Sequence, residues 1–327
     1  MPNRVRRKRR RRNPARILLA VVLIAAAAYA AVHCLLFQKP QQVQAVDQLT
    51  EEEQNEGQAQ EDEAAQALQS HQERKADFYT ILVSGVDDGN GNSDTNILVA
   101  VDAAGGSIYG VSIPRDTKAV WNGKSHKINA AFGSGGIEKL ADVIGEQLGI
   151  PVDYTVQVDL EAFVALVDAI GGVDFDVPID MNYEDPYQDL YIHIPAGMQH
   201  LSGEEALKVV RFREGYASQD IARMETQQAF LKAVAQQTLQ VSNLTKVDQF
   251  VKIFQQYVET DLTLGNLAWL GSKAISIGSE NVAFSTLPGE WKSPYIYLNK
   301  EETLTLVNEH LNPYVEDRVA EDLNIPD

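Results

Sequence analysis

An α/β or α+β sandwich with a central mixed sheet flanked by helices is the fold class this sequence predicts, on three observations. Short β-branched runs at Phe78 to Val86, Asn96 to Val101 and Ser107 to Ile113, separated by Gly- and Asp-rich turns, read as a sheet opening. Stretches of helical period then alternate with further strands. From Asp77 the chain has about 250 residues, enough for one sizeable core. The pattern leaves strand order open.

Before that domain come three segments of different composition. Residues 4 to 16 hold nine Lys or Arg and no acid, and run straight into Ile17 to Phe37, an apolar stretch of 21 residues. That length spans a bilayer core, and the basic flank keeps residues 1 to 16 cytoplasmic and sends the rest outward. The expectation is a basic cytoplasmic tail over 1–16, a single-pass anchor over 17–37 and an extracellular domain. A cleavable signal peptide is the rival reading, through the small residues Ala25 to Ala31. Lipidation at Cys34 is disfavoured by His33 before it. Residues 38–76, rich in Gln, Glu and Ala without aromatics, hold too little apolar surface to fold alone and read as a polar stalk.

Within the domain, Gly136 to Leu148 has helical periodicity and Val152 to Val158 reads as a strand. Leu160 to Ile170 reads as an apolar helix stopped by Gly171-Gly172, and Val173 to Val177 as another strand. Ser202 and Glu205 form a capping-box pattern at the start of a helix that ends near Arg211 and Arg213. A further helix runs from about Ser218 to Leu239. Residues 77–240 are expected to carry the catalytic core, and 241–327 to pack on the same domain, with Val282 to Leu287 as a strand.

Composition narrows the chemistry. Nine of the 28 Lys and Arg lie in the basic tail; the other 19 face 46 acids, a formal charge of −27 outside the membrane. Such a surface repels bulk polyanions, so a phosphate site there has to be a local arginine cluster, with or without a metal, and nucleic acid is not the expected partner. Cys34, in the apolar stretch, is the only cysteine, so no disulfide is available. The histidines beyond the span, His71, His126, His193, His200 and His310, lack metal-ligand spacing, and no Walker-type loop is present.

Several charged residues fall at strand or helix ends. Asp87 and Asp94 suit Mg²⁺, which takes one or two carboxylates plus phosphate oxygens; the alternative is turn chemistry in a Gly/Asn/Asp loop. Arg115 follows Pro114 at a strand exit. Asp116 pairs with it or forms an ordinary surface ion pair. Arg211 and Arg213 reach one anion if the helix stops at Gly215, or else complement a helix C-terminus. Asp220, Arg223 and Gln227 lie at i, i+3 and i+7 on one helix face, a pattern a solvated ion pair explains almost as well.

Six motifs, VSGVDDGNGNSDTNILVAVD, SIPRDT, HKINAAFGSGG, DAIGGVDFDV, ALKVVRFRE and DIARMETQQ, stand in the order and spacing that resemble the LytR-CpsA-Psr family. The resemblance covers Asp77 to about Leu239. It implies a membrane-anchored phosphotransferase that attaches an undecaprenyl-diphosphate-linked glycopolymer, such as teichoic acid or a capsule-like polysaccharide, to peptidoglycan with Mg²⁺. By position it assigns Asp87 and Asp94 to the metal. Asp87, Asp94, Arg115, Asp116 and Asp220 take catalytic positions, and Arg115, Lys127, Arg211, Arg213, Arg223 and Gln227 face the diphosphate. Two family arginines are replaced here, by Gly89 and Thr226. Lys127 is a partial substitute, though a poorer bidentate partner.

The alternative function is a non-catalytic surface protein that binds prenyl diphosphates or wall polymer, which fits the two missing arginines. A transcriptional regulator is disfavoured, since about 16 residues would face the DNA and no helix-turn-helix pattern occurs there.

Overall fold

The computed structural model describes residues 37–43, 73–86, 93–187, 190–212, 219–239 and 247–326. In chain order it runs β1 (Phe78–Val86), β2 (Ser93–Asp102), β3 (Ser107–Ser112), β4 (Lys118–Trp121), β5 (Lys124–Lys127), α1 (Asn129–Leu148), β6 (Tyr154–Asp159), α2 (Leu160–Ile170), β7 (Val173–Val177), β8 (Met181–Asp185), β9 (Leu190–Ile194), β10 (Gly197–Leu201) and α3 (Gly203–Arg211). Then follow α4 (Gln219–Thr238), α5 (Val247–Tyr257), β11 (Val258–Thr260), α6 (Leu264–Ile277), β12 (Val282–Thr286), β13 (Gly289–Lys292), β14 (Tyr295–Leu298) and α7 (Lys300–Leu306).

The central sheet has the order β11-β6-β1-β2-β3-β12. β1, β2 and β3 are antiparallel neighbours, as their short connections require, whereas β6 joins β1 and β12 joins β3 in parallel. Side chains alternate across the sheet. Phe78, Leu82, Leu98 and Val111 bury one face against Leu140, Ile144 and Leu148 of α1. Tyr79, Ile81 and Val101 bury the other against Trp269 and Leu270 of α6. A second core joins α2, β7 to β10, α3 and α4 around Phe175, Ile192 and Phe230. This is the helix-flanked mixed sheet that the pattern of runs predicts.

Helix ends follow the expected chemistry. Asp159 caps α2, whose end at Gly171 is left-handed, and the Ser202–Glu205 capping box opens α3. α1 begins at Asn129, seven residues before the predicted start, because two helical pieces join across Gly135 and Gly136, where the dihedrals leave the helix.

The segment expected to be a stalk is bonded to the domain at both its ends. Gln38 donates to the Gly265 carbonyl (3.2 Å) and accepts from Asn266 (2.9 Å), Tyr79 donates to Pro40, and Tyr154 bonds both backbone groups of Gln41. Val43 N–H donates to Asp153 while Arg74 reaches both the Val43 carbonyl and Asp153. Contacts of the domain thus reach back to Gln38. Residues 1–36, with the expected tail and most of the expected membrane span, lie outside the described residues, and among the described residues no helix is long and apolar enough to cross a membrane.

Candidate functional site

The sheet has two poles. At one, the starts of β1 and β6 meet the Phe37–Val43 segment. At the other, the end of β1, the start of β2 and the end of β3 gather part of the predicted site.

Backbone bonds build that second pole. Ile113 donates to the Asn96 carbonyl (2.8 Å), which sets Pro114 and Arg115 beside the start of β2. A turn closed by Thr117 N–H on Pro114 (2.9 Å) follows, and the Arg115 carbonyl accepts from Asn129 (3.2 Å), the first residue of α1. Arg115 is half-buried there. The N-terminal end of α1, with no acid in its first turn, adds its partial positive charge to the same pole. Asp94 lies in β2 at a bulge: Gly85 pairs with Thr95 and Val86 with Ser93, so Asp94 is the extra residue. Bulges concentrate beside active sites. Asp87 lies outside the described residues.

Asp116 is committed to Lys127, Nζ to Oδ1 at 2.9 Å, with both side chains partly exposed. The ion pair that sequence reading offered as the alternative for Asp116 is therefore present, with Lys127 as its cation. Lys127 brings its charge to the Arg115 turn already shared with a carboxylate.

α4 reaches this pole through Gln228, whose Nε2 donates to Thr286 Oγ1 (3.0 Å) on β12, and Thr286 pairs with Ser112 on β3. Gln227 is half-buried beside it, and Thr226, where an arginine was expected by resemblance, is buried. Asp220 and Arg223 sit in the N-terminal half of α4. Arg211 closes α3, whose path turns extended at Phe212, so the helix stops two residues before Arg213. Arg213 lies outside the described residues. The structure thus brings together Asp94, Arg115, Asp116, Lys127 and the α4 segment around Gln227, and leaves Arg211 at the edge of the second core.

A set of buried polar side chains at this pole escaped the sequence reading. Ser84 and Asn96 face each other across β1 and β2, bonded at 3.1 Å, on the face that Leu82 and Leu98 bury two residues earlier and later. Asn96 Nδ2, Ser93 Oγ and Thr117 Oγ1 are buried with no hydrogen-bond partner among the described residues. A buried, unmet polar group costs about 1 to 3 kcal/mol, and native folds keep few of them. The available signal was polar residues inside apolar runs, VSGV and TNILV, where the core pattern calls for aliphatics.

Among the described residues no cluster of three His, Cys, Asp or Glu could hold a metal. Mg²⁺ would need only one or two carboxylates beside waters and phosphate oxygens; of the two expected, Asp94 stands at the β2 bulge and Asp87 lies outside the described residues. Oxygen donors suited to such hydrated ions are present in Ser93 and Thr117.

The description of a known family fits residues 42–313, the LytR_cpsA_psr family. Over 196 residues the chain is 32% identical to the polyisoprenyl-teichoic acid–peptidoglycan teichoic acid transferase TagV of Bacillus subtilis, a match covering 57% of this chain and 50% of that one. It is 36% identical over 194 residues to TagU of Bacillus cereus, named with the same activity, covering 58% and 62%. Less than two thirds of either relative is therefore spanned. Among solved structures, that of B. subtilis TagV superposes with a TM-score of 0.62 at 28% identity, covering 74% of this chain and all of that one. The structure of B. subtilis TagU gives 0.54 at 26% identity, covering 74% and 99%. A family match over most of the chain, together with the same fold in two solved relatives, places this chain in the LytR_cpsA_psr family.

Proposed function

We propose that this chain transfers a polyprenyl-diphosphate-linked glycopolymer, of the teichoic acid or capsule-like kind, onto peptidoglycan. It would do so outside the cytoplasmic membrane, held by a single N-terminal span over residues 17–37. The observation that carries the reading is the pole where Ser93 Oγ, Asn96 Nδ2 and Thr117 Oγ1, buried with no hydrogen-bond partner among the described residues, sit beside Asp94 and Arg115. An anionic oxygen-rich ligand supplies what those groups lack. The names of the curated relatives supply the reaction class.

In this reading Arg115 binds the donor diphosphate and neutralises charge that grows on it, the term that usually dominates such catalysis. Arg211, Arg213, Arg223 and Gln227 extend that anion contact, and Lys127 shares its charge between the diphosphate and Asp116. An acceptor sugar hydroxyl attacks the sugar-linked phosphorus. Its oxygen forms the new phosphodiester, the bridging P–O bond breaks, and prenyl phosphate leaves with that bond's electron pair. Asp94 or Asp87 accepts the hydroxyl proton, with Asp220 in support. Mg²⁺, held by Asp87 and Asp94, would act as a Lewis acid on the phosphate oxygens.

Buried Thr226 in place of a family arginine favours one second reading, a protein that binds the prenyl diphosphate without turnover. The full chain in nanodiscs, given a synthetic prenyl-diphosphate sugar and peptidoglycan oligomers with and without Mg²⁺, separates the two. Transfer requires Mg²⁺-dependent product that falls about 10²- to 10³-fold in Arg115→Ala. Tight donor binding with no product across several donor sugars leaves the binding-protein reading.

A further inference from the structure

Two of the chain's three tryptophans, with the tyrosines of β14, stand next to the Arg115 turn. The β13–β14 hairpin is hydrogen-bonded to that turn: Ile296 N–H donates to the Asp116 carbonyl (2.9 Å), and Ile296 bridges Thr117 in parallel. Trp291 on this hairpin is 55% exposed. Lys127, the partner of Asp116, lies 6.0 Å from the centre of the Trp291 ring. Lys118 and Lys292 lie 4.8 and 5.9 Å from the ring of Tyr297. On the facing β4–β5 hairpin, Trp121 stacks on His126 at 4.0 Å.

Charge singles out the same patch. Residues 118–127 contain three lysines and no acid in a chain of net charge −18, and the hairpin adds Lys292 with one acid, Glu290. The exposed ring of Trp291, with half-buried Tyr297 beside it, suits the C–H face of a pyranose ring, and the lysines suit carboxylates carried alongside it. The bilayer is not the occupant, because the Phe37–Val43 segment meets the opposite pole of the sheet.

We infer that Trp291, with Tyr297 and the lysines around them, is the seat of the acceptor: a peptidoglycan glycan strand, whose rings stack on the aromatics and whose stem-peptide carboxylates meet the lysines. This rests on the transferase reading and specifies its second substrate. A strand seated there brings a sugar hydroxyl to the Arg115 turn from the side of Asp116. Every peptidoglycan acceptor carries rings and carboxylates together, whereas the donor's polymer ranges from a capsule-like polysaccharide to a ring-poor polyol phosphate that offers the tryptophan nothing to stack on, so the acceptor is assigned.

The full chain in nanodiscs, labelled with 5-fluorotryptophan, gives three fluorine resonances, and Trp291→Phe assigns the one of interest. Soluble peptidoglycan oligomers should shift it saturably, while polyphosphate and a prenyl-diphosphate sugar should leave it in place. Trp291→Ala should weaken oligomer binding at least tenfold and leave prenyl-diphosphate binding within twofold, with Trp291→Phe intermediate. A resonance that ignores the oligomers, or that polyphosphate or the donor moves as far, overturns the assignment. Binding is read without turnover, so a chain that binds oligomers at Trp291 yet makes no product would defeat the transferase reading and leave this one standing.

Discussion

Single residues decide how the N-terminal segment is held, and Asp153 is the chief of them. Its buried carboxylate accepts from Val43 N–H (2.9 Å), Arg74 Nη2 (2.8 Å), Thr80 N–H (2.9 Å) and Thr80 Oγ1 (3.1 Å). With the Arg74 side chain 9% and the Asp153 side chain 0% exposed, removing the carboxylate strands a buried cation. Asp153→Ala should therefore cost about 3 to 5 kcal/mol, a fall in Tm of roughly 6 to 20 °C in calorimetry. The exposed pair His200–Asp174, at 2.7 Å, gives the contrast: Asp174→Asn should cost at most about 1 kcal/mol. Its effect belongs instead in a titration. The hydrogen bond from the His200 ring to Asp174 raises the imidazole pKa above 6.5. Because the folded value is the higher, that stabilisation is full below the unfolded pKa, near 6.5, and is lost as pH rises through the folded one. Proton NMR should find the His200 midpoint above 6.5, falling back in Asp174→Asn. Nothing local marked Asp153, since its partners lie 73, 79 and 110 positions away, whereas the place of Arg115 at a strand exit was legible because Pro114 and the end of an apolar run mark it.

Elements were legible where local chemistry fixes them. The capping box at Ser202 and the glycine stop at Gly171 both appear as read. The strands β8, β9 and β10 were passed over, although β9 buries alternate residues, because each is five residues long and gains its regularity from pairing. The predicted start of α1 at Gly136 marks the second of its two helical pieces, since the first is held by its neighbours across the non-helical glycines. The end of α1 shows what such a local signal hides. Gly149 is left-handed at φ 67°, and a Cβ there would lie 2.5 Å from the Asp322 carbonyl oxygen. Gly149→Ala should lose more than the roughly 1 to 2 kcal/mol of a left-handed residue, because the C-terminal residues have to move as well. Gly106→Ala, at φ 78° with nothing within 4 Å, should lose that conformational cost alone. Denaturant unfolding of the two variants checks the difference, and equal losses would show that Asp322 does not press on the helix end.

For the molecule as a whole, the placement of the site follows from which pole the N-terminal segment grips. β1 carries the chain from the Pro40–Tyr79 contact to the Asp94 pole, about 25 Å at 3.3 Å per residue. If residues 17–37 span the bilayer as proposed, the clamp from Gln38 to Val43 fixes the domain's height directly. Val43 and Arg74, on either side of residues 44–72, are themselves bonded, Arg74 donating to the Val43 carbonyl at 2.7 Å. A low-apolar composition predicted a spacer, and composition alone could not show that residues at both its ends bond to the domain. Replacing residues 47–70 by a short Gly-Ser linker should therefore change Tm by no more than about 2 °C, as for a surface loop of altered length. On a Cys34→Ser background, a dye at Met198→Cys should keep its energy transfer to a lipid-borne acceptor unchanged by the deletion. A spacer would instead let the domain drop toward the bilayer, and a marked rise in transfer with Tm unaltered would show that the Phe37–Val43 contacts do not set the height of the site.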